Sequence, residues 1–142
     1  MLTKDLMAKF ILIVEDDADV AQSVAEVLEI SGYGTAIAAN GQEALDHLRT
    51  NDRPDLILLD MMMPVMDGWQ FRQEQRMLPA FASIPVVIVT ADGDARRKAA
   101  SIEAAGYIVK PVTIDGLLDV VERVCGVPDT SSDAPSPSAS RS

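Results

Sequence analysis

Cysteine occurs only once, as Cys125, so no internal disulfide can close, and a reducing compartment is the natural setting. Basic residues are also scarce: 12 Lys and Arg stand against 22 Asp and Glu, giving a net charge of -10 and a pI near 4.4. Such a chain lacks the clustered cations that draw proteins to nucleic-acid backbones or anionic membranes, so neither is an expected partner. No apolar run approaches the roughly 20 residues that cross a bilayer. Met1 to Phe10 lacks the long apolar centre and cleavage signal of an export sequence. A cytoplasmic protein is expected.

What is present is a regular alternation. The 142 residues (15.3 kDa) have room for one domain with a core large enough to need no disulfide or structural metal. Short apolar runs at Ile11 to Val14, Leu56 to Leu59, Ile84 to Val89 and Tyr107 to Val109 read as buried parallel strands, with Tyr33 to Ala38 as a weaker one. Between them fall helical patterns. Ala18 to Ile30 turns Val20, Val24, Val27 and Leu28 inward, and Gly41 to Arg49 does the same with Ala44, Leu45 and Leu48. Further helices are predicted at Gly68 to Met77, at Asp94 to Ala105 and at Thr113 to Cys125, the last with Ile114, Leu117, Leu118, Val121 and Val124 on one stripe. Five such units predict a doubly wound α/β domain over residues 9–126. From residue 127 the Ser, Pro and Ala composition cannot bury enough apolar area to offset chain ordering, and a disordered tail is expected.

Polar residues stand where the apolar runs stop: Glu15 and Asp16 after the first, Asp60 after the third, Thr90 after the fourth and Lys110 after the fifth. In an open parallel sheet, strand carboxyl ends share one crevice, so these groups should converge there. Two carboxylates about 4 Å apart repel by roughly 4 kcal/mol at an effective dielectric near 20, so three of them need positive charge in their midst. A divalent ion with Lys110 would balance them, and Mg²⁺ suits oxygen donors while keeping positions for water and phosphate. Asp60, emerging from the most apolar strand, is the candidate phosphoryl acceptor, with Thr90 and Lys110 arriving from neighbouring strands to contact the phosphoryl oxygens.

Each residue alone has a plainer reading. Glu15-Asp16-Asp17 is a common helix-start acidic cluster, Thr90 a β-branched strand end, Lys110 a solvated turn lysine and Asp60 a loop residue. Joint occurrence at four strand ends is what favours a site. Met61, Met62, Met63 and Met66 read as adaptable packing around the crevice, since thioethers are soft ligands. His47, the one histidine, reads as a surface residue, Cys125 as a small core contact and Trp69 as packing. Arg96, Arg97 and Lys98 form a short basic run, a solvated face or a dock for an acidic partner.

With these residues in view, the chain closely resembles the receiver domain of two-component response regulators, the CheY-like domains. The resemblance is carried by Ile11-Leu12-Ile13-Val14-Glu15-Asp16-Asp17, by Asp55 to Gly68 with its Leu59-Asp60-Met61-Met62-Met63-Pro64, by Val89-Thr90-Ala91 and by Tyr107-Ile108-Val109-Lys110-Pro111. It implies a flavodoxin-like five-stranded sheet in order 2-1-3-4-5, helices on both faces and a cis Lys110-Pro111 bond. It also implies Asp60 as phospho-acceptor, with Mg²⁺ held by Asp16, Asp60, the Met62 carbonyl and, through water, Glu15, leaving Asp17 a bystander. A sensor histidine kinase or histidine phosphotransfer protein would be the donor, Thr90 and Tyr107 the switch pair, and a downstream protein the reader of the phosphorylated state.

Val112, where an aromatic often stands in the family, and a short stretch for the fourth helix touch only the signalling face. No effector follows the fifth helix, so a stand-alone receiver is expected, with a phosphorelay intermediate as its close variant. A haloacid dehalogenase-type hydrolase also uses a strand-end aspartate with Mg²⁺. It wants an acid two residues on, where Met62 stands.

Overall fold

The apolar runs pair side by side, all parallel, into a five-stranded sheet of order β2-β1-β3-β4-β5 in the computed structural model, which describes residues 9–91 and 93–127. The strands are β1 (Phe10–Val14), β2 (Gly34–Ala38), β3 (Leu56–Asp60), β4 (Val86–Thr90) and β5 (Gly106–Val109). The helices are α1 (Ala18–Ile30), α2 (Gly41–Thr50), α3 (Gly68–Arg76), α4 (Ala95–Ser101) and α5 (Ile114–Cys125). The tail expected from residue 127 lies, beyond Val127 itself, outside the described residues.

Side chains along a strand alternate between faces, and here both faces are covered. Ile11, Ile13, Leu58, Val87, Val89 and Ile108 pack beneath α1 and α5. Leu12, Val14, Ile57, Leu59, Val86 and Ile88 pack beneath α2, α3 and α4. That is why β1, β3 and β4 read as unbroken apolar strings rather than as alternating ones. Register is exact across the centre: Val14 lies beside Leu59, Asp60 beside Val89, and Thr90 beside Val109.

Helix ends follow local chemistry. The Asp17 carboxylate accepts from the Asp19 and Val20 amides and caps α1, so the third acid of the cluster is a helix cap. At the other end, Gly32 (φ 103) lets its own amide reach the Glu29 carbonyl and the Tyr33 amide reach that of Leu28. The α4 terminus uses the same pair of bonds, Glu103 to Ala100 and Ala104 to Ala99, but places Glu103 at φ 54, where glycine is usual. Two arginines of α3 hold it there. Arg72 donates to the Ile102 and Glu103 carbonyls, and Arg76 pairs with the Glu103 carboxylate at 2.6 Å. Buried Gln75 completes the strap by donating to the Phe81 and Ile84 carbonyls at the entry to β4.

Several sequence expectations need correction. The fourth helix ends at Ser101 rather than Ala105, because the Arg72 strap stops it. β4 begins after Pro85, which has no amide to donate to a ladder, and extends through Thr90. Ile114, expected inward, is exposed at the mouth of α5, and Val120 takes the core position. His47 is half-buried against the Phe10 ring, and its Nε2 is buried without a hydrogen-bond partner among the described residues. Met61 and Met63 pack in the core as expected, whereas Met62 projects into solvent. Cys125 is half-buried against the α1 and α5 layer.

Candidate phosphoacceptor site

The chain places its polar stations at one end of the sheet because each is the residue at which an apolar strand stops. Glu15 follows β1 and continues its pairing, its amide donating to the Ala38 carbonyl at 3.0 Å. Asp60 and Thr90 are the last residues of β3 and β4, and the Lys110 amide donates to the Thr90 carbonyl at 2.8 Å, extending β5 by one step. The Lys110-Pro111 bond is cis, as the resemblance implied.

Glu15, Asp16 and Asp60 each offer a carboxylate oxygen, and these atoms lie within 4.8 Å of one another. Lys110 Nζ sits 3.2 Å from Glu15 Oε1 and 3.7 Å from Asp60 Oδ2. Glu15, Asp60 and Thr90 are buried, while Asp16 is open to solvent. Backbone amides hold the acids in place: that of Asp17 donates to Glu15 Oε2 at 3.1 Å, and that of Met62 to Asp60 Oδ1 at 3.1 Å.

Three carboxylates and one ammonium leave the pocket short of positive charge, and Glu15 registers the deficit. Burial, reinforced by the neighbouring Asp60 charge, pushes its carboxyl up to about 7, against the opposing pull of the Asp17 amide and Lys110. Burial alone would lower Lys110, but the Asp60 charge and the hydrogen bond and charge of Glu15 outweigh it and hold the ammonium above its ordinary value. Clustered oxygen donors with unbalanced negative charge fit a small hard cation such as Mg²⁺. The structure thus brings together Glu15, Asp16, Asp60 and Lys110, with Thr90 buried at the end of the neighbouring strand β4. Met62 joins through its backbone amide, and Tyr107 stands apart, 39% exposed on the β5 edge.

A flavodoxin-like sheet carrying an acidic, lysine-flanked pocket at its carboxyl edge defines a small class of proteins. The chain belongs to the response regulator receiver domain family, whose model matches residues 11–122. It is therefore a two-component signalling domain of the CheY-like type, and receiver domains are generally not classical enzymes. It is 38% identical over 120 residues to the sporulation initiation phosphotransferase F of Bacillus subtilis, covering 83% of this chain and 94% of that protein. It is 36% identical over 110 residues to the response regulator MprA of Mycolicibacterium vanbaalenii, covering 76% of this chain but only 46% of that protein. The chain thus spans about half the length of some curated relatives and nearly all of another. Among solved structures, the chemotaxis protein CheY4 of Vibrio cholerae superposes with a TM-score of 0.75 at 31% identity, covering 82% of this chain and 98% of that one. Receiver domains of this family bind Mg²⁺ at an acidic pocket and interact with histidine kinases or phosphotransfer proteins. No helix among the described residues is long and apolar enough to cross a membrane.

The strap of Arg72 and Gln75 was not legible in the sequence. Its one trace is that the inward stripe of α3, Phe71, Arg72 and Gln75, carries two polar residues where packing alone asks for apolar ones. The cap role of Asp17, left a bystander in the sequence reading, had a local signal, since an aspartate stands immediately before a helical pattern.

Proposed function

We propose that this chain is a receiver phosphorylated on Asp60 by a sensor histidine kinase or histidine phosphotransfer protein. The phosphorylated form is then read by a downstream protein partner. The observation that carries this is the meeting of buried Asp60 with Glu15, Asp16 and Lys110 at one strand edge.

In the transfer, an Asp60 carboxylate oxygen forms a bond to phosphorus as the bond to the donor imidazole nitrogen breaks, and that nitrogen leaves with the electron pair. Hydrolysis of the acyl phosphate later returns the carboxylate and inorganic phosphate. Lys110 holds a phosphoryl oxygen, and the Met62 amide, already on Asp60 Oδ1, orients the acceptor. Asp16, Asp60, the Met62 carbonyl and Glu15 would hold Mg²⁺, which supplies charge neutralisation at the transferring group. Incubated with acetyl phosphate and Mg²⁺, wild-type protein is expected to gain one phosphoryl group by intact mass and Asp60→Asn none. Equal labelling of both would overturn the assignment.

Thr90 and Tyr107 couple the phosphoryl group to the surface. Thr90 is buried at the crevice, and Tyr107, on the adjacent strand, is partly exposed, so movement of the hydroxyl toward phosphate frees space for the ring to turn inward. Thr90→Ala is expected to phosphorylate near normally yet lose phosphate-dependent binding, measured by pull-down with the cognate target. Retained binding would remove Thr90 from the switch.

A phosphorelay intermediate is a second reading, favoured by similarity to the B. subtilis phosphotransferase over 94% of that protein. Rapid passage of phosphate from the labelled chain to a histidine phosphotransfer protein would establish it. Loss only by hydrolysis would exclude it.

A further inference from the structure

The corner between β2 and α2 carries none of the charged groups of the pocket but is bonded to both sides of it. On one side the Ala38 carbonyl, at the end of β2, accepts the Glu15 amide at 3.0 Å. On the other, the Gly41 amide at the start of α2 donates to the Met66 carbonyl at 3.1 Å, in the loop that joins Asp60 to α3. The corner itself is tied down. The Asn40 side chain accepts the Glu43 amide, and the Glu43 carboxylate accepts the Ala39 amide, which fixes where α2 begins.

Gly41 is buried and has no room for a side chain. A Cβ there would stand 2.7 Å from Met66 Cγ, 2.8 Å from the Met66 carbonyl oxygen and 3.0 Å from Met66 Cβ. The bare Cα lets the loop backbone close onto the helix start. What it closes on is strained. The Met66 amide bonds the Pro64 carbonyl at 2.7 Å across Val65, which sits at φ 69. That is the rare form of γ-turn, and a β-branched residue is a poor occupant of it. Val65 is 79% exposed, so its own packing does not hold the turn. The loop is held instead at Met66, by the Gly41 amide and by a side chain packed partly buried on the core, and at its ends, where the Gly68 amide bonds the Met61 carbonyl.

We propose that Gly41 is a positioning residue for the acceptor. By latching Met66 it keeps the Val65 turn wound and so sets Met62, whose amide bonds Asp60 Oδ1 and whose carbonyl the receiver reading gives to Mg²⁺. Gly41 acts only through the loop. With Ala38 on the Glu15 amide, a single corner at the sheet edge clasps the acids that follow β1 and end β3. The inference rests on the receiver reading and adds the residue that holds its acceptor loop in shape.

The test compares wild type, Gly41→Ala, Gly41→Ala with Val65→Gly, and Leu48→Val, which thins the buried face of the same helix away from the loop. Acetyl phosphate labelling, Mg²⁺ titration followed by amide NMR, and urea unfolding are measured for each. Gly41→Ala is expected to label about tenfold more slowly and to bind Mg²⁺ about fivefold more weakly, since small misplacements at a reacting centre carry large rate losses. Adding Val65→Gly lets the turn absorb the displacement and should bring labelling back to within about threefold of wild type. Leu48→Val should lose stability yet label and bind Mg²⁺ as wild type. In wild type itself, where no folding defect intervenes, the Gly41 amide should exchange with solvent about fivefold more slowly once Mg²⁺ is bound, because coupling between two sites is reciprocal. The Asn51 amide, at the other end of α2, should not change. The proposal is overturned if Gly41→Ala matches wild type in labelling or in Mg²⁺ affinity, if Leu48→Val is slowed as much, if Val65→Gly restores nothing, or if Mg²⁺ leaves Gly41 exchange unaltered. A wild type that takes no phosphoryl group would defeat the receiver reading as well, whereas normal wild-type labelling beside an unaffected Gly41→Ala defeats the latch alone.

Discussion

Metal-free protein is expected to lose stability as the pH rises from about 4.5 through about 7, and Glu15→Gln is expected to remove most of that loss. Burial in the crevice and the adjacent Asp60 charge raise the Glu15 carboxyl from 4.5 to about 7. Between those values the folded chain binds a proton that the unfolded chain releases. The stabilisation is therefore complete below about 4.5 and disappears as the pH climbs past about 7. A displacement of this size corresponds to on the order of 3 kcal/mol, a large share of a small domain's stability.

Thermal or urea unfolding of both proteins in EDTA at pH 5 and pH 8 checks this. Near pH 5 the protonated acid and the amide should behave alike, and at pH 8 the variant should be the more stable. Mg²⁺ should invert that order, because a cation among Glu15, Asp16 and Asp60 favours the ionised acid and binds only the folded chain. If the two proteins keep the same stability difference at both pH values without metal, the electrostatic account of the pocket fails.

Gly68→Ala is expected to destabilise the chain by about 1–3 kcal/mol and to slow Asp60 phosphorylation, although helix propensity alone argues for a gain approaching 1 kcal/mol. A Cβ at this position would stand 2.5 Å from Met61 Sδ, 2.8 Å from Met61 Cα and 3.1 Å from the Asp60 carbonyl oxygen. The sulfur can swing aside. The Cα and carbonyl belong to the end of β3, and moving them moves the acceptor. Overpacking against backbone therefore outweighs the propensity gain.

Urea midpoints measure the first effect, and the rate of acetyl phosphate labelling measures the second. Gly93→Ala, where nothing lies within 4 Å, is the neutral control. A Gly68→Ala protein as stable as wild type would show that α3 does not rest on the acceptor strand as closely as the structure places it.

Much of the site was legible because a parallel sheet buried on both faces writes each central strand as an unbroken apolar string. The place where the string stops is the place where the carboxyl edge begins. Glu15, Asp60, Thr90 and Lys110 were found in this way, and the fold class followed from the same alternation. Helix surfaces were less legible. Ile114 fits the apolar stripe of α5 but is the first residue of the helix and is exposed, so periodicity placed it inside and the packing left it out.

By itself, the sequence determined the order of elements, the strand ends and the kinds of groups that meet there, since these depend on local pattern and on the one-crevice geometry of parallel sheets. Only the tertiary structure decided distances and burial. It set Lys110 between Glu15 and Asp60, pushed the Glu15 carboxyl up, buried Arg72 and Gln75 as a strap on α4, and turned Met62 and Val65 outward. The physical reason is that dielectric environment and close packing arise from residues far apart in the chain. The desolvation of a carboxylate or the fit of a glycine against a strand has no local signature.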